Sequence, residues 1–194
     1  MNYSFNSRVR YSETGENGRL TLPGVLNYFQ DCCTFHAESI GLGGDVLKAR
    51  DRAWVLSSWQ VIVDEYPVMG TEIKITTAPY EFKGFMGMRN FTIETADGKL
   101  IAWANSNWTH LAISKGAPAR LTPADTDKYV LSEKMEMDYA PRKIKLPDDN
   151  FTGIIHSTEA SSGYQSSCKQ LSIYLHGRRF PAGRFQSISD ACRV

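Results

Sequence analysis

The sequence predicts an α+β fold in which one long helix is wrapped by a curved antiparallel sheet. Three observations carry this reading. The stretch 22–42, LPGVLNYFQDCCTFHAESIGL, sets Leu22, Val25, Leu26, Phe29, Cys32, Cys33, His36, Ala37 and Ile40 at spacings of three and four. That makes an apolar face broader than a coiled-coil seam. Four β-rich stretches then follow one another between Ala53 and Ile113, separated by turn residues. An alternating N-terminal stretch adds one more strand. So apolar a helix requires a large partner surface, and the sheet is the only candidate of that size.

Each element has its own signal. Tyr3 to Ser12 alternates and is rich in Tyr, Phe and Val, so it reads as a strand, and ETGENG (13–18) is a turn cluster. Thr21 is placed to cap the long helix, Pro23 sits in its first turn, and Gly41, Gly43 and Gly44 end it. Residues 45–51 are polar and predict a short helix or loop. In the strand from Ala53 to Tyr66, strict alternation puts Trp54, Leu56, Ser58, Gln60 and Ile62 on one face and Trp59, Val61 and Val63 on the other, until Pro67 and Gly70 stop it. Thr71 to Tyr80 turns Ile73, Ile75 and Thr77 inward. Phe85 to Thr95 and Leu100 to Ile113 flank the Asp97-Gly98 hairpin signal. The resulting order, β–α–β–β–β–β, is the hot-dog arrangement. Residues 1–130 are expected to form this one complete domain, 131–152 a linker, and 153–194 a disrupted and irregular remnant of a second.

The 194 residues are 42% hydrophobic with a net charge of +1, ordinary for a globular chain, which leaves no chain-wide argument for nucleic acid or an anionic membrane. The start, MNYSFNSRVR, has no apolar signal core and no run is long enough to cross a bilayer, so the expected location is cytoplasmic. Cys32 and Cys33 are adjacent, Cys168 and Cys192 distant, and neither zinc spacing nor a disulfide framework is present. No metal or organic cofactor is expected.

Residues 8–150 resemble the acyl-acyl-carrier-protein thioesterases of bacteria and plant plastids. The pieces that carry the resemblance are VRYSETGENGRLTLPGVLNYFQD, HAESIGLGGD, WVLSSWQVIVDEYPVMGTEIKITT, GFMGMRNFTI and GKLIAWANSNWTHL. The resemblance implies two tandem hot-dog repeats, the first binding the acyl chain and the second hydrolysing the thioester to acyl carrier protein. Catalysis would use an Asp-x-Asn-x-His motif with a Cys or Glu further on. In such a set an imidazole or carboxylate activates water or a thiol, and an Asn amide with a helix N-terminus stabilises the oxyanion. The first repeat lacks these residues; Glu16 and Asn17 read as turn residues, and no catalytic residue is assigned.

The second repeat is not recognisable in 153–194, which is serine-rich and basic. Read one base out of frame, however, synonymous codons let Ser162 through Phe180 spell LDTNHHVNNCQYICMAEDF, which contains the expected motif and its helix. A frameshift between Phe151 and Ser161 is therefore the expected origin of the tail. His156, His176 and the basic Lys169, Arg178, Arg179 and Arg184 are then accidental. Two functions are open: a thioesterase by descent that is inactive as printed, or a non-catalytic module binding an acyl group or the carrier. A lone repeat would expose a sheet edge, so a homodimer through the sheet is a further expectation.

The acyl-pocket candidates are Phe29, Cys33, His36, Trp54, Leu56, Met86 and Met88. Large apolar and thioether side chains suit a flexible aliphatic ligand, although the same residues also suit an ordinary core. Arg89 is either a contact to the acidic carrier or its acyl-phosphopantetheine, or a solvated strand charge. His110, near a strand end, reads as structural.

Overall fold

A computed structural model describes residues 2–140 in full and the backbone of 153–158 and 170–175. Strand β1 (Tyr3–Arg8) leads through a 3-10 turn (Tyr11–Glu13) to helix α1 (Leu22–Ser39) and short helix α2 (Gly44–Ala49). Strands β2 (Arg52–Val63), β3 (Glu72–Lys83), β4 (Met86–Thr95) and β5 (Leu100–Ala112) follow, then β6 (Ala117–Pro118) and α3 (Pro123–Thr126). Two further strands are β7 (Gly153–Thr158) and β8 (Gln170–Leu175). The sheet order is β1-β3-β4-β5-β2-β8-β7, with β6 beside β5, and all pairings are antiparallel. Two segments of the stretch expected to be irregular are thus strands, and β8 occupies the β2 edge from Ser58 to Ile62. The rest of 153–194 lies outside the described residues, and with it all of the 162–180 stretch of the frame-shifted reading except β8.

Helix α1 begins as its sequence dictates. Pro23 stands in the first turn, and Thr21 Oγ1 accepts from Gly24 N at 3.2 Å while donating to the Glu13 carbonyl. Gly24 lets the two segments touch: a Cβ there would lie 2.8 Å from the Glu13 carbonyl oxygen. The helix ends at Ser39, three residues before the expected Leu42. Gly41 takes φ 66° and donates to the Glu38 carbonyl, and Leu42 donates back to Ala37, a Schellman closure that buries Leu42. The first strand likewise stops at Arg8 rather than Ser12. Tyr28 anchors that corner by donating to the Arg8 carbonyl at 2.7 Å and accepting from Arg10 N.

The core lies between α1 and the concave face of the sheet. Phe29 is fully buried, with ring centroids 5.8 Å from Trp59 and 5.1 Å from Phe91. Val61, Ile75, Ile93 and Ala104 complete the layer around them. Ile73, Ile75 and Thr77 face inward as expected. The Asp97-Gly98 turn closes β4–β5, with Gly98 at φ 84°.

The faces of β2 differ from strict alternation. The register slips between Leu56 and Ser58, leaving Ser57 as an extra residue. Trp54 and Leu56 therefore share the inner face with Trp59, Val61 and Val63, while Ser58 and Gln60 fall on the outer face. β3 has a matching irregularity between Pro79 and Glu81. Thr77 and Pro79 pair with Phe91 and Arg89, whereas beyond Tyr80 it is Phe82 that pairs with Gly87. Both bulges lie at one level of the sheet, because Trp59 and Arg89 share the partner Ser106, and Leu56 and Gly87 share Trp108.

Residues 131–140, expected to be a linker, run along the outer face of the sheet. Asn90 Oδ1 accepts from Met135 N and the Tyr139 hydroxyl. Gln60 donates to the Asp138 carbonyl and accepts from Ala140 N. The polar face of the sheet thus satisfies the backbone of this strap.

Candidate functional site

Above the level of the two bulges, α1 and the sheet separate and leave a cleft of about 500 Å³. One wall is the C-terminal half of α1, with Gln30, Cys33, Thr34 and Ala37. Leu42, Leu47 and Lys48, from the turn after α1 and from α2, close a second side. The sheet contributes Arg52, Trp54, Phe82, Gly87, Arg89 and Trp108, and Tyr129 completes the lining.

Local packing fixes the aromatic wall. Trp54 lies 4.9 Å from the His110 ring and 6.0 Å from Phe82, which in turn lies 5.3 Å from Tyr129. Gly87 makes room for these rings: a Cβ there would sit 3.0 Å from Phe82 and 3.1 Å from Trp54. Behind Trp54, His110 is fully buried; its Nδ1 lies 3.1 Å from the Ala119 carbonyl and its Nε2 3.8 Å from Asp125. Burial pushes the Asp125 carboxyl up, but hydrogen bonds from Thr122 outweigh it and hold the group below the usual carboxylate range. This pair supports the wall from outside the cleft, in keeping with a structural His110.

Of the expected pocket residues, Cys33, Trp54 and Met88 border the cleft. Phe29 and Leu56 do not: both are buried in the closed core, Leu56 level with Gly87 and Trp108 at the boundary of the cleft. His36 is also absent from the lining. It is stacked on Tyr3 at 5.5 Å and meets Tyr129 edge-on at 5.3 Å, with its Nδ1 buried and unpartnered. Burial, reinforced by the Arg89 charge, lowers its pKa to about 4 and keeps the ring neutral. Met86 is likewise outside the cleft: it and Met88 pair with Thr109 and Asn107, the outward register positions, and Thr109 Oγ1 approaches the Met86 sulfur. The intervening Gly87 and Arg89 face inward.

Arg89 is not a solvated strand charge. It is 8% exposed, donates from Nη1 to Thr77 Oγ1 at 3.3 Å, and holds its guanidinium 5.6 Å from the centre of the Tyr129 ring. It lines the cleft instead of presenting itself to a protein surface. Cys33 donates to the Gln30 carbonyl at 3.2 Å, and burial pushes its thiol up, with Arg89 opposing. Burial likewise pushes neighbouring Cys32 up to about 12. Neither is a thiolate nucleophile at neutral pH. Among the described residues no cluster of His, Cys, Asp and Glu is arranged to hold a metal.

Alternation analysis did not find Phe82, Gly87, Trp108 or Tyr129. Phe82 follows the β3 bulge, Gly87 pairs with it from β4, and Tyr129 lies in the segment after the sheet.

A helix packed in a curved antiparallel sheet, with an aromatic cleft at one end, defines a protein of the hot-dog fold. The model of the acyl-ACP thioesterase N-terminal domain matches residues 1–129, and the chain belongs to that family. It is 27% identical over 114 residues to the chloroplastic palmitoyl-acyl carrier protein thioesterase of Gossypium hirsutum, covering 55% of this chain and 27% of that protein. Over 108 residues it is 31% identical to the chloroplastic acyl-[acyl-carrier-protein] hydrolase FATB3 of Cuphea viscosissima, covering 52% of this chain and 26% of the relative. An acyl-ACP thioesterase from Bacteroides thetaiotaomicron superposes with a TM-score of 0.68 at 25% identity, over 81% of this chain and 64% of that one. The 12:0-ACP thioesterase from Umbellularia californica gives 0.66 at 18% identity, over 80% and 64%. The chain thus spans about a quarter of the length of these curated relatives. Among the described residues no helix is long and apolar enough to cross a membrane.

Proposed function

We propose that this chain is the acyl-binding half of an acyl-ACP thioesterase, and that its cleft receives the aliphatic part of an acyl group carried by acyl carrier protein. The observation that carries this reading is the aromatic cleft between α1 and the sheet, in a chain whose family is that of the thioesterases. The rim suits the linkage to the carrier: exposed Lys48 and partly exposed Arg52 lie where phosphopantetheine and an acidic carrier would approach. This replaces Arg89 as the carrier contact. By descent the reaction is hydrolysis of a fatty acyl thioester in fatty acid synthesis. In this reading the chain does not perform it: among the described residues the cleft holds a buried Cys33 thiol kept protonated by burial, and no imidazole or carboxylate lines the cleft beside it. The frame-shifted tail supplies the reason, and sequencing genomic DNA across the codons for 151–162 checks it.

The pairing of β8 on the β2 edge supports a second reading, a free-standing binding module closed by its own chain. Acyl-ACP binding and thiol release, measured on the same purified protein, test the proposal. Binding without turnover, weakened by Trp54→Ala, is the expected result. Turnover by the purified chain would sink the inactive-half reading, and absence of binding would sink the acyl-cleft reading.

A further inference from the structure

The cleft is electrically one-sided. Lys48, Arg52 and Arg89 border it, and among the described residues no Asp or Glu does. Arg52 has the Asp51 carboxylate at 3.8 Å, and Lys48 stands at the exposed rim. Arg89 differs from both. It is 8% exposed, and among the described residues no carboxylate comes within ion-pair distance of it. Its neighbours, the Thr77 hydroxyl and Tyr129, are neutral. A guanidinium carries five N–H donors, and burying it without a counter-charge is expensive. An ordinary core position would be filled by an apolar residue at lower cost, as the neighbouring inward position Phe91 is.

We propose that Arg89 is a carboxylate-binding group, and that the cleft takes a free fatty acid with its carboxylate on the Arg89 guanidinium and its chain along the aromatic wall. A carboxylate matches the planar fork of an arginine and supplies the missing counter-charge in a site sheltered from water, where such pairing is strongest. The chain then lies against Trp54, Phe82 and Leu42. This rests on the acyl-cleft reading and deepens it: the free acid, the product of thioester hydrolysis, has its own mode of binding, distinct from that of an esterified chain. The ligand class is a carboxylate-terminated aliphatic chain, and an ester of the same chain lacks the charge that Arg89 would meet.

The test is calorimetric titration of the full chain with laurate and with methyl laurate, both kept below aggregation. The expected result is at least about tenfold tighter binding of the acid. Arg89→Met brings the acid-to-ester ratio close to one, Arg89→Lys retains part of it, and the rim pair Lys48→Gln with Arg52→Gln retains it. Should Arg89→Met fail to fold, the wild-type ratio and the rim variant decide. Equal affinity for acid and ester in the wild type overturns the proposal while leaving the acyl cleft standing. Loss of the preference in the rim variant, or its survival in Arg89→Met, assigns the anion to Lys48 and Arg52 and also overturns it. If neither compound binds, the acyl-cleft reading falls as well.

Discussion

Phe29 and Trp54 are both large aromatic residues of the inner layer, yet the structure assigns them different work. Phe29 is 0% exposed and enclosed between Trp59 and Phe91, so Phe29→Ala leaves a closed cavity. Truncations of this type cost about 3–5 kcal/mol, a large part of the roughly 5–15 kcal/mol that holds a domain together. Trp54 is half-buried and borders a space that is already open. Trp54→Ala enlarges that space instead of creating a sealed one, and the expected cost is about 1–2 kcal/mol. Urea denaturation followed by circular dichroism measures both values, provided the slope is unchanged. Ligand titration is expected to reverse the ranking: Trp54→Ala weakens binding of an aliphatic chain at a concentration where Phe29→Ala, still folded, binds it. A Phe29→Ala penalty under about 1 kcal/mol, or one no larger than that of Trp54→Ala, would refute the division between core and cleft.

His36 makes stability depend on pH. Its folded pKa of about 4 lies below the ordinary value of 6.5, so the unfolded chain binds the proton more readily. Its contribution is complete above the unfolded pKa and is lost as pH falls from there towards the folded one. That loss amounts to about 2 kcal/mol by pH 5 and on the order of 3 kcal/mol in all. Denaturation at pH 7 and pH 5 should show a smaller pH effect in His36→Phe than in the parent protein, and identical pH dependence would contradict the assignment. Gly24→Ala should lower the melting temperature despite the better helix propensity of alanine, because its Cβ meets the Glu13 carbonyl oxygen at 2.8 Å; an unchanged or raised value would show that this turn yields.

The architecture was legible where it depends on local pattern. The face of α1 follows from residues three and four apart, its start from Thr21 and Pro23, and the β4–β5 hairpin from Asp97-Gly98. The sheet order was not, because nothing local places β2 beside β5 rather than β3. The site was legible only in part. Cys33 and Trp54 border the cleft as their type and position suggested, whereas Met88 borders it from an outward register position. Met86 was misplaced because alternation has no origin until one inward residue is known, and the inward residue proved to be Arg89. Phe29, Leu56 and His36 were assigned to the cleft because an apolar inner face looks the same where it is filled as where it is hollow. Tyr129 enters from the segment after the sheet, where no periodicity marks an inward face, and only tertiary contact reveals its place.

The shared level of the two bulges has a consequence for how such a protein can change over time. Below that line most inner residues pack on one another; above it most of them border the open cleft. The extra residues, Ser57 and Tyr80, are what keep both halves of β2 and β3 facing inward. Deleting either would turn half a strand inside out, so the lengths of these strands are tightly constrained. Their composition above the line is not. A lineage can therefore exchange Trp54 or Phe82 and reshape the cleft at a lower cost in stability than emptying the closed core would carry, so long as Gly87 keeps the space between them.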